Sequence, residues 1–372
     1  MLVSGWVHTA AMTVLLAIGT RKGLWLARSD DRRSWQLEGP QFPMQEVPSC
    51  AIDTRGGRAR LLVGAKSWHW GPGVLHSDDL GVTWSEPEAG AVKFPEGEDA
   101  AVKAIWQLKP DTADRPGVVW AGSEPSALWR STDGGETFSL VRGLWEHPHR
   151  LTWEPGFGGQ AVHTVLPHPV DDARVLVAMS TGGVYVTEDG GESWNPSNTG
   201  IKAYFLPDPW PEYGQCVHKV ARDLVEPERL FAQNHHGVYR SDDGGKSWTS
   251  IADGLPSDFG FPVVVHPAAP NTAWVVPLVA DGHRFPPDNA LQVWRTADGG
   301  ESWTSTSSGL PESYFAAVMR DAFTPDDVAD APGLYVGGRD GSVYASPDGG
   351  DSWSEVVRHL PDVLCVRAAS LP

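Results

Sequence analysis

One eight-residue phrase, Ser241-Asp242-Asp243-Gly244-Gly245-Lys246-Ser247-Trp248, returns along this chain at near-regular intervals, and it limits the fold more than any other feature. Close copies run Ser77 to Trp84, Ser131 to Phe138, Thr187 to Trp194, Thr296 to Trp303 and Ser346 to Trp353. A worn copy, Ser29 to Trp35, is one residue short and lacks the glycine. Successive starts at 29, 77, 131, 187, 241, 296 and 346 lie 48, 54, 56, 54, 55 and 50 residues apart. A period of this length marks a repeat architecture, so one repeat is read as one structural unit.

The phrase carries its own mechanics. An aspartate carboxylate can accept bonds from the backbone N–H groups of its turn, a glycine permits positive φ, and a Ser or Thr and a buried aromatic follow. β-branched and aromatic runs precede the copies, as in Gly237-Val238-Tyr239-Arg240, Gly183-Val184-Tyr185-Val186 and Ser342-Val343-Tyr344-Ala345. The motif therefore sits between two antiparallel strands, and each unit reads as a four-stranded meander.

This Ser/Thr-x-Asp-x-Gly-x-Ser/Thr-Trp pattern resembles the Asp-box (BNR) repeat of sialidase-like, sortilin-like and xyloglucanase-like β-propellers, and the resemblance covers almost the whole chain. The expectation is an all-β fold: a seven-bladed β-propeller of four-stranded antiparallel blades. Residues 1–11 are read as an N-terminal tail and 12–372 as one domain. The first repeat lacks an innermost strand of its own, while Val363-Leu364-Cys365-Val366-Arg367 follows the last copy without a blade. The C-terminal strand is therefore expected to complete blade one, pairing the edges that an open array would expose. Inner strands are expected at 49–53, 102–107, 162–166, 217–221, 262–266 and 315–320, with almost no helix.

Composition narrows the partners. A net charge of −18 with no compensating basic cluster repels a phosphate backbone, so no nucleic acid is expected. The apolar run Met12 to Gly19 aligns with the second strand of other blades, so it is read as neither a leader nor a membrane segment. Cys50, Cys216 and Cys365 are too few and scattered for a disulfide framework, which favours a cytoplasmic protein with buried thiols.

With strands lettered A to D outward from the axis, the repeated turns join C to D. The D-to-A and B-to-C connections then emerge at the opposite end, and these vary most in length: 85–100, 139–160, 195–215 and the insertion 278–290. Function is expected there. Gly159-Gln160-Ala161-Val162-His163 matches Gly214-Gln215-Cys216-Val217-His218, which puts His163 and His218 at one position in adjacent blades, with Lys103 in the matching place one blade earlier. The B-to-C turns add Arg21, Lys66, Glu124, Asn234, His235, Arg339 and Asp340.

Two chemistries suit that set. His163, His218 and His235 could hold one divalent transition metal. Alternatively, His163 or His218 is the general base and Glu124 or Asp340 the acid, while Lys66, Lys103, Arg21 and Arg339 hold an anionic substrate and Gln160, Gln215 and Asn234 orient it. Trp68 and Trp70 offer flat rings to a small-molecule or glycan ligand.

The sialidase activity that the resemblance brings to mind does not fit. The Arg-Ile-Pro-type start of those enzymes is replaced by Val47-Pro48-Ser49, and seven motif copies imply one blade more than sialidases have. Xyloglucanase-like enzymes set two tandem seven-bladed units around a cleft, and propellers resembling the photosystem assembly factor bind through an arginine patch that this acidic chain lacks. The chain most resembles a bacterial seven-bladed branch called sialidase-like or glycosyl-hydrolase-like after its repeat. The reading is a small-molecule-binding propeller of hydrolase or lyase type, with a non-catalytic interaction scaffold and a glycoside hydrolase as alternatives.

Overall fold

The computed structural model describes residues 12–85, 92–156 and 159–371. The expected tail at 1–11 and part of the 85–100 connection lie outside them. Regular structure is nearly all strand, and the one α-helix among the described residues is the single turn Arg142–Trp145.

Four sheets are four-stranded antiparallel meanders with inner strands Ala104–Pro110, Val162–Pro167, Val217–Arg222 and Phe259–Val265. A three-stranded sheet, Glu46–Asp53, Arg60–Ser67 and Gly71–Ser77, is extended by an isolated bridge between His76 and Ser85. The remaining eight strands form one sheet. Its two halves are joined only by a parallel bridge between Asp321 and Cys365, and Val363–Leu371 pairs antiparallel with Thr13–Thr20. Such meanders are consistent with a propeller.

The inner strand expected at 315–320 runs instead from Val318 to Pro325. Ala317 is held back because its carbonyl accepts the Arg339 N–H, and Phe315 is exposed. The inner strand expected to begin at Val102 starts at Ala104, after Lys103 has spent its N–H on the Glu124 carbonyl at 2.7 Å.

Apolar burial runs between sheets rather than within them. Ala51, Leu62 and Val74 of one sheet pack with Ile105, Leu108, Val119 and Trp129 of the next, and Trp120, Val162, Val165 and Val177 continue the series. Close approach is possible because four second strands carry glycine facing the neighbouring sheet. A Cβ on Gly19, Gly64, Gly122 or Gly337 would stand 2.5 Å from Val47 O, 2.9 Å from Ile105 Cβ, 2.2 Å from Val162 O and 2.5 Å from Val363 Cγ1 respectively.

The repeated turns close as their sequence implies. In one copy Ser241 Oγ donates to Asp243 at 2.8 Å and accepts the Gly245 N–H at 2.8 Å. The other Asp243 oxygen takes the Ser247 hydroxyl at 2.6 Å, and Gly244 and Gly245 have φ of 76° and 98°. The copies at Ser77, Ser131, Thr187, Thr296 and Ser346 repeat the hydroxyl-to-aspartate bond. The first glycine of five copies, Gly134, Gly190, Gly244, Gly299 and Gly349, also donates to a carbonyl of the A-to-B loop in its own sheet. The repeated turns and A-to-B loops therefore share one end of the fold, which leaves the B-to-C turns and D-to-A connections at the other.

Candidate functional site

Near its start, each inner strand slips register against its second strand. Val162 faces Met179 and Thr164 faces Ala178, so His163 is left as a bulge, and His218 is left the same way between Val217 and Lys219. A bulge re-aims the side chain it frees. The spacing that put both histidines at one position thus matches the geometry. The equivalent residue one sheet earlier is Trp106, between Ile105 and Gln107, which corrects the assignment of Lys103: that residue precedes the strand altogether. Phe261, Arg320 and Leu364 lie within the corresponding slips of the other sheets.

These bulged side chains meet. The Arg320 guanidinium lies 5.2 Å from the Trp106 ring and 5.8 Å from that of Phe261, and its buried Nε has no hydrogen-bond partner. Its chain neighbour Asp321 is taken by Lys219 and Arg367 instead. The His218 ring stacks on Phe261 at 4.7 Å, and its Nδ1 stands 2.5 Å from the Gly260 carbonyl. Nδ1 must therefore carry the proton and donate it, which leaves Nε2 with a free lone pair.

Cys216, His218 and His235 each present one ligand atom within 4.8 Å of the others. The His235 backbone N–H reaches the Cys216 carbonyl at 2.9 Å, and His235 Nε2 lies 3.9 Å from Asp281, which the 278–290 insertion delivers. His163 is outside that group. Its Nδ1 is 3.2 Å from Thr164 Oγ1, and its buried Nε2 has no partner.

Burial, reinforced by the Arg320 charge, holds the imidazoles of His163 and His218 well below their ordinary range. Both are neutral in the fold, the form that ligates metals or accepts a proton. Burial pushes the Cys216 thiol up, against the pull of Arg320. A Cys/His/His set with one position left over fits a zinc-like ion. Sequence reasoning counted Cys216 as a buried thiol and passed over Asp281 and Arg320. The available signal was Cys216 lying two residues before His218 on the same strand start.

The other expected residues divide. Glu124 accepts the indole N–H of the bulged Trp106 at 3.2 Å, and Asp340 accepts the Tyr314 hydroxyl at 3.0 Å and the Ser342 hydroxyl at 2.7 Å, which closes its own turn. Arg21 and Arg339 share Asp362. Asn234 binds the carbonyls of Lys202 and His236, and Gln215 binds those of Ile201 and Pro211. Gln160 keeps a buried amide nitrogen without a partner. Lys66 is exposed, as are Trp68 at 91% and Trp70 at 89%.

A cavity of about 510 Å³ opens at the end that carries the repeated turns, opposite to where sequence length variation pointed. Its floor is formed by the residues just past the bulges, among them Gln107, Thr164, Lys219, Val263 and Asp321.

No family model matches the chain. The photosystem II assembly lipoprotein Ycf48 of a Synechococcus species is 25% identical over 290 residues, covering 75% of this chain and 68% of that protein. A xyloglucanase of a Paenibacillus species is 25% identical over 282 residues, covering 75% of this chain and 24% of the enzyme. An oligoxyloglucan-reducing end-specific xyloglucanase of Emericella nidulans is 23% identical over 331 residues, covering 80% and 38%. Among solved structures, an ancestral GH74 enzyme superposes with a TM-score of 0.58 at 16% identity, covering 84% of this chain and 39% of that one. The chain spans well under half the length of the xyloglucanases it matches. Together with the sheets, these likenesses support a propeller fold.

Proposed function

We propose that this chain is a seven-bladed Asp-box propeller of the sialidase-like superfamily, closed by its C-terminal strand, that binds a small molecule or glycan at the end away from the repeated turns. It acts there as a metal-dependent hydrolase or lyase in the cytoplasm. The observation that carries the reading is the convergence of Cys216, His218 and His235 within 4.8 Å, with the His218 tautomer fixed by a backbone carbonyl and Asp281 behind His235. Cys216 takes the place that the sequence reading gave to His163 among the metal ligands.

When bound, a divalent ion supplies Lewis acidity to a water or a carbonyl oxygen. His163, held neutral by burial, is the candidate proton acceptor, and Arg320 the candidate holder of an anionic group of the substrate. Trp68 and Trp70 extend a stacking surface for sugar rings outside the centre.

Metal analysis of the purified protein tests this. About one equivalent of zinc or a similar ion, lost in Cys216→Ala and His235→Ala with the fold intact, supports the reading. Metal-free protein that gains no thermal stability from added zinc overturns it.

A second reading, a non-catalytic scaffold that docks a partner, is favoured by the exposed rings of Trp68, Trp70, Tyr204, Trp210 and Phe315. A glycoside hydrolase draws only on the relatives, since that chemistry needs two carboxyl groups flanking the bond and Glu124 and Asp340 are otherwise engaged.

A further inference from the structure

Two cations converge on one carboxylate inside the cavity at the repeated-turn end, and a third stands beside them without a partner among the described residues. Lys219 Nζ lies 2.8 Å from Asp321 Oδ1 and 3.1 Å from Gln107 Oε1. Arg367 binds the same carboxylate and, through a second nitrogen, the Asp321 carbonyl at 2.9 Å. Lys109 enters from the strand that carries Gln107 and forms no ion pair with the described residues. It is exposed to the cavity, yet the inner strands surround it, and burial followed by the charges of Arg367 and Lys219 pushes its ammonium down to about 8.

The remaining charges of the lining are spoken for. Asp53 pairs with Arg55 at 2.6 Å, Asp111 with Arg115 at 3.2 Å, and Asp326 with Arg32 at 2.9 Å. Arg222 donates to the Pro227 carbonyl, and Asp327 accepts the Ser370 N–H at 3.1 Å. The floor therefore holds a surplus of positive charge in a chain whose net charge is −18. Enclosed like charges repel and are costly to desolvate, so stability does not account for them. Above the floor the walls turn apolar, with Ala51, Val165, Ala221 and Phe323.

We infer that this cavity is a second binding site, distinct from the cysteine–histidine centre, for a small organic oxyanion. A carboxylate or phosphate group sits among Lys109, Lys219 and Arg367, with Gln107 and Thr164 completing its hydrogen bonds and the apolar walls covering the carbon skeleton. A volume of about 510 Å³ lies in the range of small-molecule pockets.

The test is a calorimetric titration of the full chain with inorganic phosphate and, separately, with succinate, at an ionic strength held constant with chloride. Saturable binding of either anion is expected, and the tighter one identifies the head group. Lys109→Met should weaken it by about tenfold or more, the worth of one charge-assisted hydrogen bond, and Lys109→Arg should retain it. Lys109→Met should also melt no lower than the parent without ligand, because it relieves repulsion. No heat beyond the chloride control, or equal affinity in Lys109→Met, overturns the site.

Discussion

The Cys50 thiol lies 3.5 Å from that of Cys365, across the seam where the strand Val363–Leu371 meets the inner strand Glu46–Asp53. Both side chains are fully buried with Ala17, Leu24 and Val63, and Cys365 Sγ also approaches the Val47 carbonyl at 3.7 Å. The last strand of the chain is thus interior to the packing of the first two sheets. Deleting residues 363–372 would uncover Thr13–Thr20 along its length and leave this cluster open to water. The expected outcome is loss of cooperative unfolding followed by circular dichroism, and a truncated chain with the parent melting temperature would show the seam to be dispensable.

Gly122 tests whether sheet-to-sheet contact sets the spacing. An added Cβ would stand 2.2 Å from Val162 O, a backbone atom that no side-chain rotation can move. Gly122→Ala should cost about 1–3 kcal/mol by denaturant titration, the usual penalty for overpacking. Gly282 has open space where its Cβ would go and no positive φ. Gly282→Ala should stay within about 0.5 kcal/mol, as surface changes do. Equal effects would mean that the short distance at Gly122 is not structural.

The fold was legible because Asp243 and its counterparts do local work: a turn that needs its own aspartate, glycine and hydroxyl writes itself into the sequence wherever it recurs. The site was legible only in part. His163 and His218 could be matched because a bulge keeps its place on the inner strand, but the shift from Lys103 to Trp106 depends on where pairing begins, which apolar pattern does not fix. Asp281 meets His235 through a loop with no counterpart in other repeats. Lys109, Lys219 and Arg367 come together only because three strands distant in the chain line one cavity, a relation that no single stretch of sequence carries.

Acid should loosen the repeated turns. The Thr83 hydroxyl and then its N–H hold Asp79 down to about 2, and the Ser302 hydroxyl and N–H do the same for Asp298. Asp189 is lowered by the Ser193 hydroxyl and N–H, and Asp31 by the N–H groups of Ser34 and Arg33. A folded-state pKa below the ordinary 3.8 means that the unfolded chain binds protons first as pH falls. The stabilisation is complete above about pH 4 and is lost between about pH 4 and pH 2. Melting temperature should already fall from about pH 6.5, where the unfolded chain protonates the imidazoles that burial keeps neutral at His163 and His218, and should fall again below about pH 4, and Asp243→Asn should show less of that second decline. A profile as steep in the substituted chain as in the parent would point to other carboxylates.

Arg320 sets two magnitudes against each other. Stacking between Trp106 and Phe261 gives a guanidinium about 0.5–2 kcal/mol. Removing a charge from water without a partner carboxylate costs several kcal/mol. The second effect is larger, and burial accordingly draws the Arg320 pKa below its ordinary value. Arg320→Met keeps the length and the apolar contact with both rings while discarding the charge. Its melting temperature should equal or exceed that of the parent, which would mean that the guanidinium is retained for a ligand beside His163, His218 and Cys216. A fall of several degrees would instead make Arg320 a packing element that clamps the two rings together, and the anion-holding role proposed for it would go.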